Sequence, residues 1–172
     1  MKYPGKLSSG ANNTVIALNV NEAAKLFTGD TRSDIGSESE KMKFANSIND
    51  LVVKFIKMDY SEEFQAELLI MERLIPLDFR AYEVEKREIW IEVFEDELNS
   101  LHKAGFVHRD IKRPEGIGGM DYDNILLTDS GLRLIDVGIS ALRSQVGQKI
   151  FEKYVEIEIE EMKHFREYFL NR

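Results

Sequence analysis

The sequence has no cysteine, three histidines and three prolines among its 172 residues. The absence of cysteine excludes disulfides, thiolate nucleophiles and metal sites with cysteine ligands. The three histidines, His102, His108 and His164, argue against a histidine-rich metal site. No stretch approaches the roughly 20 apolar residues that cross a bilayer, and the N-terminal MKYPGKLSSG lacks the apolar core of a signal peptide. We therefore expect no membrane span and no export through a signal peptide.

The chain also lacks an excess of positive charge. It has 23 lysines and arginines against 31 aspartates and glutamates, which gives a net charge of −8. Nonspecific binding of nucleic acid depends on basic side chains that neutralise phosphates, so nucleic acid is not an expected partner. The share of charged residues, 31%, together with 43% hydrophobic residues, is that of a globular protein of one domain or two very small lobes.

Short apolar runs separated by turn residues predict that the first half of the chain is rich in strands. Strands are expected over 14–20, around 25–27, over 51–56 and over 68–71, with one helix over 38–49. Pro76 interrupts the pattern, and a boundary near residues 72–80 divides the chain.

The second half has the periodicity of helices. Four apolar residues step by three, four and three along one helix face: Ile91, Phe94, Leu98 and Leu101. Gly105 is the expected C-cap of that helix. A loop over 113–123 precedes a hairpin, whose strands flank the turn residues TDSG, and the tail over 144–172 is expected to be helical with one break.

The strongest motif lies between Leu101 and Gly138. His108-Arg109-Asp110 is followed by Lys112, then by Asn124 before the hairpin, and by Asp136-Val137-Gly138 after it. In their order, and in the hairpin that separates them, these residues resemble the catalytic core of eukaryotic-type protein kinases, which carries H-R-D, an asparagine and D-F-G. The resemblance implies a bilobal kinase-like α+β fold. Residues 1–74 would form an N-lobe of antiparallel sheet and one helix, and residues 75–172 a reduced helical C-lobe.

The resemblance also implies a division of chemical roles. Asp110 would orient an attacking hydroxyl and accept its proton, and Lys112 would neutralise charge on the transferred phosphoryl group. Asn124 and Asp136 would hold Mg²⁺, which prefers oxygen ligands, with ATP as the phosphate donor. His108 is expected to be structural, and His102 is expected at the surface.

The distance from Asp110 to Asn124 departs from the family pattern. Fourteen residues separate the two positions, more than the motif H-R-D-x-x-x-x-N allows. An insertion within the sequence GIGGMDYD is the simplest explanation. Asp121 and Asp123, in this insertion, are candidates to compete for the metal, but we favour their interpretation as turn residues.

Two lysines compete for the strand position that contacts the phosphates. The LVVK sequence that ends at Lys54 is more similar to the family's V-A-I-K, but it leaves too little chain before Asp110 for the remaining elements. Lys25 leaves room for every element in order, so we choose Lys25. The family's spacing between helix and strand, counted back from Val53, implies Glu40 as the acidic partner of Lys25. Glu38 is the rival, because it shares a helix face with apolar residues.

A partly degraded glycine-rich loop is predicted near the N-terminus. The pattern Ser8-x-Gly10-x-x-Asn13-x-Val15 fits G-x-G-x-x-G-x-V with only the middle glycine kept. Small residues, Ser9 among them, let backbone N–H groups approach phosphate, and Val15 would cover the adenine. An ordinary β-turn explains the same residues equally well.

The end of the strand over 68–71 is the expected hinge between the lobes. The resemblance makes Met71 the gatekeeper-like residue and assigns backbone groups of Glu72 and Leu74 to the adenine. Met71 also has a simpler interpretation as a core-filling side chain.

The C-terminal region lacks a full activation segment, because no A-P-E motif follows Asp136. In size and architecture the chain resembles the minimal effector kinases that bacteria deliver through type III secretion. That resemblance implies a cytoplasmic protein, or one secreted into a host cell without a signal peptide, that modifies a host protein as a virulence factor. Arg109 would then act without a phosphorylated activation loop. Val137, smaller than the family's phenylalanine, implies an activating protein partner that stabilises the N-lobe helix.

Taken together, these residues predict an ATP- and Mg²⁺-dependent protein kinase. Lys112 favours serine or threonine over tyrosine as the acceptor. One alternative is a small-molecule kinase, although such enzymes usually lack the HRD-x-K pattern. The other is a pseudokinase-type module that binds nucleotide or protein, in which the degraded loop and the insertion have abolished turnover.

Overall fold

The computed structural model describes residues 2–9, 14–28, 35–114 and 120–171, without the side chain of Ser9. Its first half is a five-stranded antiparallel sheet in the order β1-β2-β3-β5-β4. The strands are β1 (Gly5–Ser9), β2 (Thr14–Ala17), β3 (Glu22–Phe27), β4 (Phe55–Ser61) and β5 (Ala66–Glu72). Helix α1 (Ile35–Asn46) lies between β3 and β4 in the chain.

The two faces of this sheet have different partners, because side chains alternate along each strand. On one face, small and branched side chains of three strands form a separate cluster: Ile16, Ala24, Leu26, Ala66, Leu68 and Ile70. The other face carries Phe27 and Leu69, which belong to the main core together with Met42 and Ala45 of α1. Lys25 lies on this second face, between Val15 of β2 and Leu69 of β5 in the register of the sheet.

The strand expected over 51–56 begins later than predicted. Residues 51–53 are fully buried and pair with Leu134 instead, through Val53 N–H to Leu134 O (2.8 Å) and Leu134 N–H to Leu51 O (2.8 Å). The sequence pattern marks this apolar run as extended, but its partner lies far away in the chain. Helix α1 (Ile35–Asn46) differs in the other direction, because it begins and ends three residues earlier than the expected 38–49.

The second half begins with a short 3-10 helix (Phe79–Ala81) and α2 (Val84–Ala104). The four residues expected on one face of α2 are all buried. Gly105 ends the helix in the left-handed conformation (φ 109°), and its N–H bonds to Leu101 O at 3.0 Å and to His102 O at 3.1 Å. The predicted C-cap is therefore confirmed.

Four short strands and two helices complete the chain. These are β6 (Phe106–Val107), β7 (Ile125–Thr128), β8 (Gly131–Leu134), β9 (Ala141–Leu142), α3 (Arg143–Val146) and α4 (Gln148–Asn171). The pair β7–β8 is the expected hairpin, and β6 pairs with β9. Gly147, with φ 83°, separates α3 from α4 and is the expected break in the helical tail.

Helix α4 packs along α2 and closes the main core. Phe165 of α4 lies 5.8 Å from Phe94 of α2 between ring centroids, and an ion pair joins Arg166 to Glu95 at 2.7 Å. The result is an α+β protein in which the sheet comes first and the long helices follow. In the ranges that the structure describes, every helix is too short or too polar to cross a membrane.

Candidate active site

The centre of the candidate site is the ammonium group of Lys25 on β3. Its Nζ lies 2.8 and 3.1 Å from the two carboxylate oxygens of Glu38 on α1, and 3.1 Å from Oδ1 of Asp136. Lys25 is 6% exposed and Glu38 is 3% exposed, whereas half of the Asp136 side chain is open to solvent. The structure therefore brings together a lysine and an aspartate that are 111 residues apart in the chain.

The expected pairing of Lys25 with Glu40 is wrong, because Glu38 is the partner. Glu38 occupies the buried face of α1 with Met42 and Ala45, at helical spacings of four and seven. Glu40, two residues further along, points to solvent. The apolar face of the helix was the signal that could have identified the partner. The buried face of α1 identifies Glu38, whereas counting residues back from the next strand selects Glu40.

Lys54, the rival lysine, lies outside this cluster. Its Nζ contacts Asp50 at 3.2 Å, and 52% of its side chain is exposed. Lys54 is a solvated lysine at the surface, while Lys25 is buried between carboxylates.

Lys25 contacts two carboxylates, and a second ammonium, that of Lys41, also acts on Glu38. Burial on its own would lower the pKa of Lys25, but the charges of Asp136 and Glu38 outweigh it and raise that pKa. Burial raises the pKa of Glu38, against the effect of Lys25. Burial also opposes ionisation of Asp136, but Lys25 outweighs it and lowers the pKa of Asp136.

The backbone around Asp136 holds its carboxylate in place. Asp136 has a positive φ of 56°, and the N–H of Gly138 donates to its Oδ1 at 3.3 Å. A Cβ at position 138 would lie 3.2 Å from the same oxygen, so glycine permits this close approach. Ser140 closes the turn by donating its hydroxyl to Val137 O at 2.6 Å.

Asn124 connects Asp110 to the segment that carries Asp136. Its Nδ2 donates to Oδ2 of Asp110 at 2.9 Å and to the backbone carbonyl of Asp110 at 3.0 Å. The backbone carbonyl of Asn124 accepts from Ile135 N–H at 3.0 Å. His108, fully buried, donates from Nε2 to Ile135 O at 2.9 Å and accepts from Asp110 N–H at 3.3 Å. Both backbone groups of Ile135 are thus bound to the loop of Asp110, and His108 has the structural role expected of it.

The insertion between Asp110 and Asn124 closes on itself at its base. Arg113 N–H donates to Asp121 O at 2.7 Å, and the Arg113 guanidinium pairs with the Asp123 carboxylate. Asp123 is therefore engaged by an arginine, which supports its interpretation as a turn residue. Residues 115–119 of the insertion lie outside the described part of the chain.

Glu158 of α4 is a part of the site that the sequence did not reveal. It is 1% exposed and accepts the backbone N–H groups of His108 (3.2 Å) and Arg109 (2.6 Å). The ring Nε2 of His102 lies 2.9 Å from the same carboxylate. The expectation that His102 lies at the surface is wrong, because this buried carboxylate needs a hydrogen-bond donor and His102 supplies one.

Glu161, one turn further along α4, faces the same loop. It accepts the backbone N–H of Lys112, and Asp110 lies within its electrostatic reach. Burial, followed by the charges of Glu158 and Asp110, raises the pKa of Glu161 to about 7. Helix α4 thus supplies two carboxylates to the backbone of residues 108–112.

The residues expected to contact the nucleotide lie partly on the face of the sheet that carries Lys25. Val15 is opposite Lys25 in the register of β2 and β3, and Ser8 is opposite Val15. Ala23 and Met71 pair with each other and lie on the same face. The proposed positions Gly10 and Asn13, and the side chain of Ser9, lie outside the described residues.

The expected hinge residues have other contacts as well. Glu72 N–H donates to Lys54 O at 2.9 Å, and the Glu72 carboxylate pairs with Arg133 of β8. By the alternation of β5, the Glu72 side chain lies on the face opposite Lys25. Leu74 is half-buried against the main core.

The side chains of Asp136 and Asn124 carry oxygen atoms of the kind that Mg²⁺ prefers as ligands. Within the described ranges, no group of three or more histidine, aspartate or glutamate side chains could hold a metal ion. Mg²⁺ commonly takes one or two protein oxygens and completes its shell with phosphates and water. Asp136 provides a carboxylate, and Asn124, whose nitrogen is engaged by Asp110, provides its amide oxygen.

Comparison with known proteins gives no family for this chain, since no protein-family model and no curated protein sequence matches it. The site is therefore interpreted from its own residues.

Proposed function

We propose that the protein is a small ATP- and Mg²⁺-dependent serine/threonine protein kinase. The observation that carries this proposal is the position of Lys25 between Glu38 and Asp136. In this proposal, residues 1–74 form the N-lobe of a kinase-like fold and residues 75–172 form a reduced helical C-lobe. The protein acts on a serine or threonine of another protein.

Three features support the proposal beyond the motif itself. A lysine held by a helix glutamate is the arrangement that positions the α- and β-phosphates in kinases. Asp110 is connected to the segment of Asp136 by the hydrogen bonds of Asn124 with Asp110 and with Ile135. The half-exposed carboxylate of Asp136 is an oxygen ligand of the kind that Mg²⁺ prefers.

The proposed reaction assigns one task to each residue of the chain. Asp110 orients the acceptor hydroxyl and takes its proton, while the hydroxyl oxygen forms a bond to the γ-phosphorus and the bond from that phosphorus to ADP breaks. Lys25 binds phosphate oxygens of the nucleotide, and Lys112 offsets charge on the group in transit. Asp136 and Asn124 would hold Mg²⁺, which would supply neutralisation of phosphate charge.

The experiment compares ATP turnover on a generic protein substrate, and nucleotide binding, in the wild type and in Asp110→Ala. Because Asp110 acts on the acceptor rather than on the nucleotide, we expect turnover to fall about 10²- to 10⁴-fold while Mg·ATP binding stays near the wild-type value. Asp136→Ala should weaken Mg·ATP binding as well. Asp129→Ala, at an exposed turn of the β7–β8 hairpin, is the matched control and should leave both quantities unchanged.

Two outcomes would contradict the proposal. A wild type that binds Mg·ATP but transfers phosphate neither to protein nor to itself would indicate a pseudokinase-type module. Faster transfer to small alcohols than to protein would indicate a small-molecule kinase.

A further inference from the structure

Helix α1 buries an unusual set of side chains. Its buried residues are Glu38, Ser39, Lys41, Met42 and Ala45, of which two are charged. Lys41 is 9% exposed. A buried ammonium group is costly unless it is paired and hydrogen-bonded, so its contacts indicate what orients the helix.

The Lys41 ammonium reaches the segment that carries Asp136. Its Nζ donates to the carbonyl oxygen of Gly138 at 3.3 Å, across 97 residues of sequence. The N–H of the same Gly138 donates to Asp136. Lys41 follows Glu38 by three residues and lies on the same helix face, so both side chains point from α1 toward residues 136–138.

Side chains of helix α1 therefore connect it to residues 136–138 by two sets of contacts. One runs from Glu38 through Lys25 to the side chain of Asp136, and the other runs from Lys41 to the backbone of Gly138. Between them, Val137 is buried but small. The second contact is made to a backbone carbonyl, and it supplies part of the attachment that a larger side chain at position 137 would give through packing.

We propose that Lys41 is a positioning residue for phosphoryl transfer: by holding α1 on the carbonyl of Gly138, it keeps Glu38 on Lys25 and keeps Asp136 aligned. This inference rests on the proposed kinase function. A contact within the chain would then position α1, a role that the sequence analysis assigned to an activating protein partner.

The test compares Lys41→Met with Lys43→Met, which removes an exposed lysine from the same helix. Methionine keeps the length of the side chain and removes only the charge and its hydrogen bonds. We expect Lys41→Met to lower kcat about tenfold or more and to speed amide hydrogen exchange in α1. Lys43→Met should change neither, and Lys41→Arg should restore much of the rate.

A stability measurement separates positioning from a merely structural role. Lys41→Met leaves the Gly138 carbonyl without this donor, so its urea midpoint is expected to fall. The kcat of each protein is therefore measured under conditions where urea unfolding shows it to be folded. Wild-type kcat and wild-type exchange of α1 in Lys41→Met would overturn the proposal. So would a loss of kcat no larger than the unfolded fraction of Lys41→Met explains, or an equal loss in Lys43→Met.

The exchange measurement also distinguishes failure of this inference from failure of the proposed function. If the wild type turns over no ATP, the function fails, while exchange in α1 still reports whether Lys41 holds the helix. If the wild type is active and exchange in Lys41→Met is unchanged, only the role of Lys41 fails.

Discussion

At the scale of single residues, the site depends on which of two neighbouring glutamates faces the sheet. Both are negatively charged and lie within one turn of α1, so charge alone does not distinguish them. Burial does, because Glu38 shares its face with Met42 and Ala45 and Glu40 does not. A rule of spacing taken from other proteins is sensitive to a shift of two residues, whereas the apolar face of a helix is a property of this sequence.

The two glutamates provide a matched pair of substitutions. Glu38→Gln should reduce ATP turnover by about tenfold or more, because it removes the charge that holds Lys25. Glu40→Gln should leave turnover near the wild-type rate, since that side chain is exposed. Steady-state kinetics with varied ATP gives both values. Equal losses in the two variants, or a loss confined to Glu40→Gln, would contradict the assignment of Glu38.

The choice of Lys25 over Lys54 shows what the sequence could supply. It followed from the order of elements that had to fit before Asp110, and the structure places Lys25 with Glu38 and Asp136. The pairing of Glu158 with the backbone of residues 108–109 could not be predicted in this way. Glu158 shares its helix face with Phe151, Met162 and Phe165, which indicates burial, but nothing local identifies the backbone groups that it binds.

At the scale of elements, the predictions were best where the signal is local. The face of α2, its cap at Gly105 and the β7–β8 hairpin depend on residues that are close in sequence, and all three are confirmed. The start of β4 was predicted incorrectly, because residues 51–53 pair with Leu134 across about half the chain. Apolar runs of this kind indicate extended backbone but not its partner.

Helix α4 is the element on which the pH dependence of stability should be visible. Glu161 of α4 faces Glu158 on its own helix, Asp110 and Lys112 on the loop, and Tyr122 of the insertion. Its pKa is raised from 4.5 to about 7 in the folded state. The folded protein therefore holds this proton more tightly than the unfolded chain does. The stabilising contribution is complete below about pH 4.5 and is lost as the pH rises through about 7.

Replacement of Glu161 by glutamine should remove this contribution. The free energy of unfolding of the wild type, measured relative to that of Glu161→Gln, should decrease between about pH 5 and about pH 8. Urea unfolding of both proteins at several pH values measures the difference. Glu156→Gln, at an exposed position of the same helix, is the control and should give a flat difference. A flat difference for Glu161→Gln would contradict the prediction by showing that its pKa is the same in the folded and unfolded states, and a rising one by showing that folding lowers that pKa.

At the scale of the whole molecule, the candidate site is assembled from elements that are far apart in the chain. Lys25 comes from the sheet, Glu38 from α1, Asp110 and Asn124 from either side of the insertion, and Asp136 from beyond the hairpin. The motif residues were chosen from their order along the chain, and the structure brings Lys25, Glu38 and Asp136 into contact. The support from α4 could not be predicted, because it depends on how that helix folds back along α2.

The same support predicts that activity does not require phosphorylation of the protein. The guanidinium of Arg109 lies 3.9 Å from the centroid of the Tyr154 ring on α4 and donates to Ile139 O at 3.2 Å. Its backbone N–H is held by Glu158. Arg109 therefore already has partners within the chain, and a phosphate group is not needed to hold it.

Protein shown by mass to be unphosphorylated should transfer phosphate at its full rate from the first turnover, if the proposed kinase function holds. Preincubation of the protein with Mg·ATP should not increase the rate of phosphate transfer. Tyr154→Phe keeps the ring beneath Arg109 and should behave as the wild type, whereas Tyr154→Ala should lower the rate because the guanidinium loses its aromatic partner. A lag that disappears after autophosphorylation would contradict this prediction, because it would show that Arg109 needs a phosphorylated residue as its partner. Loss of activity in Tyr154→Phe would point to the Tyr154 hydroxyl itself.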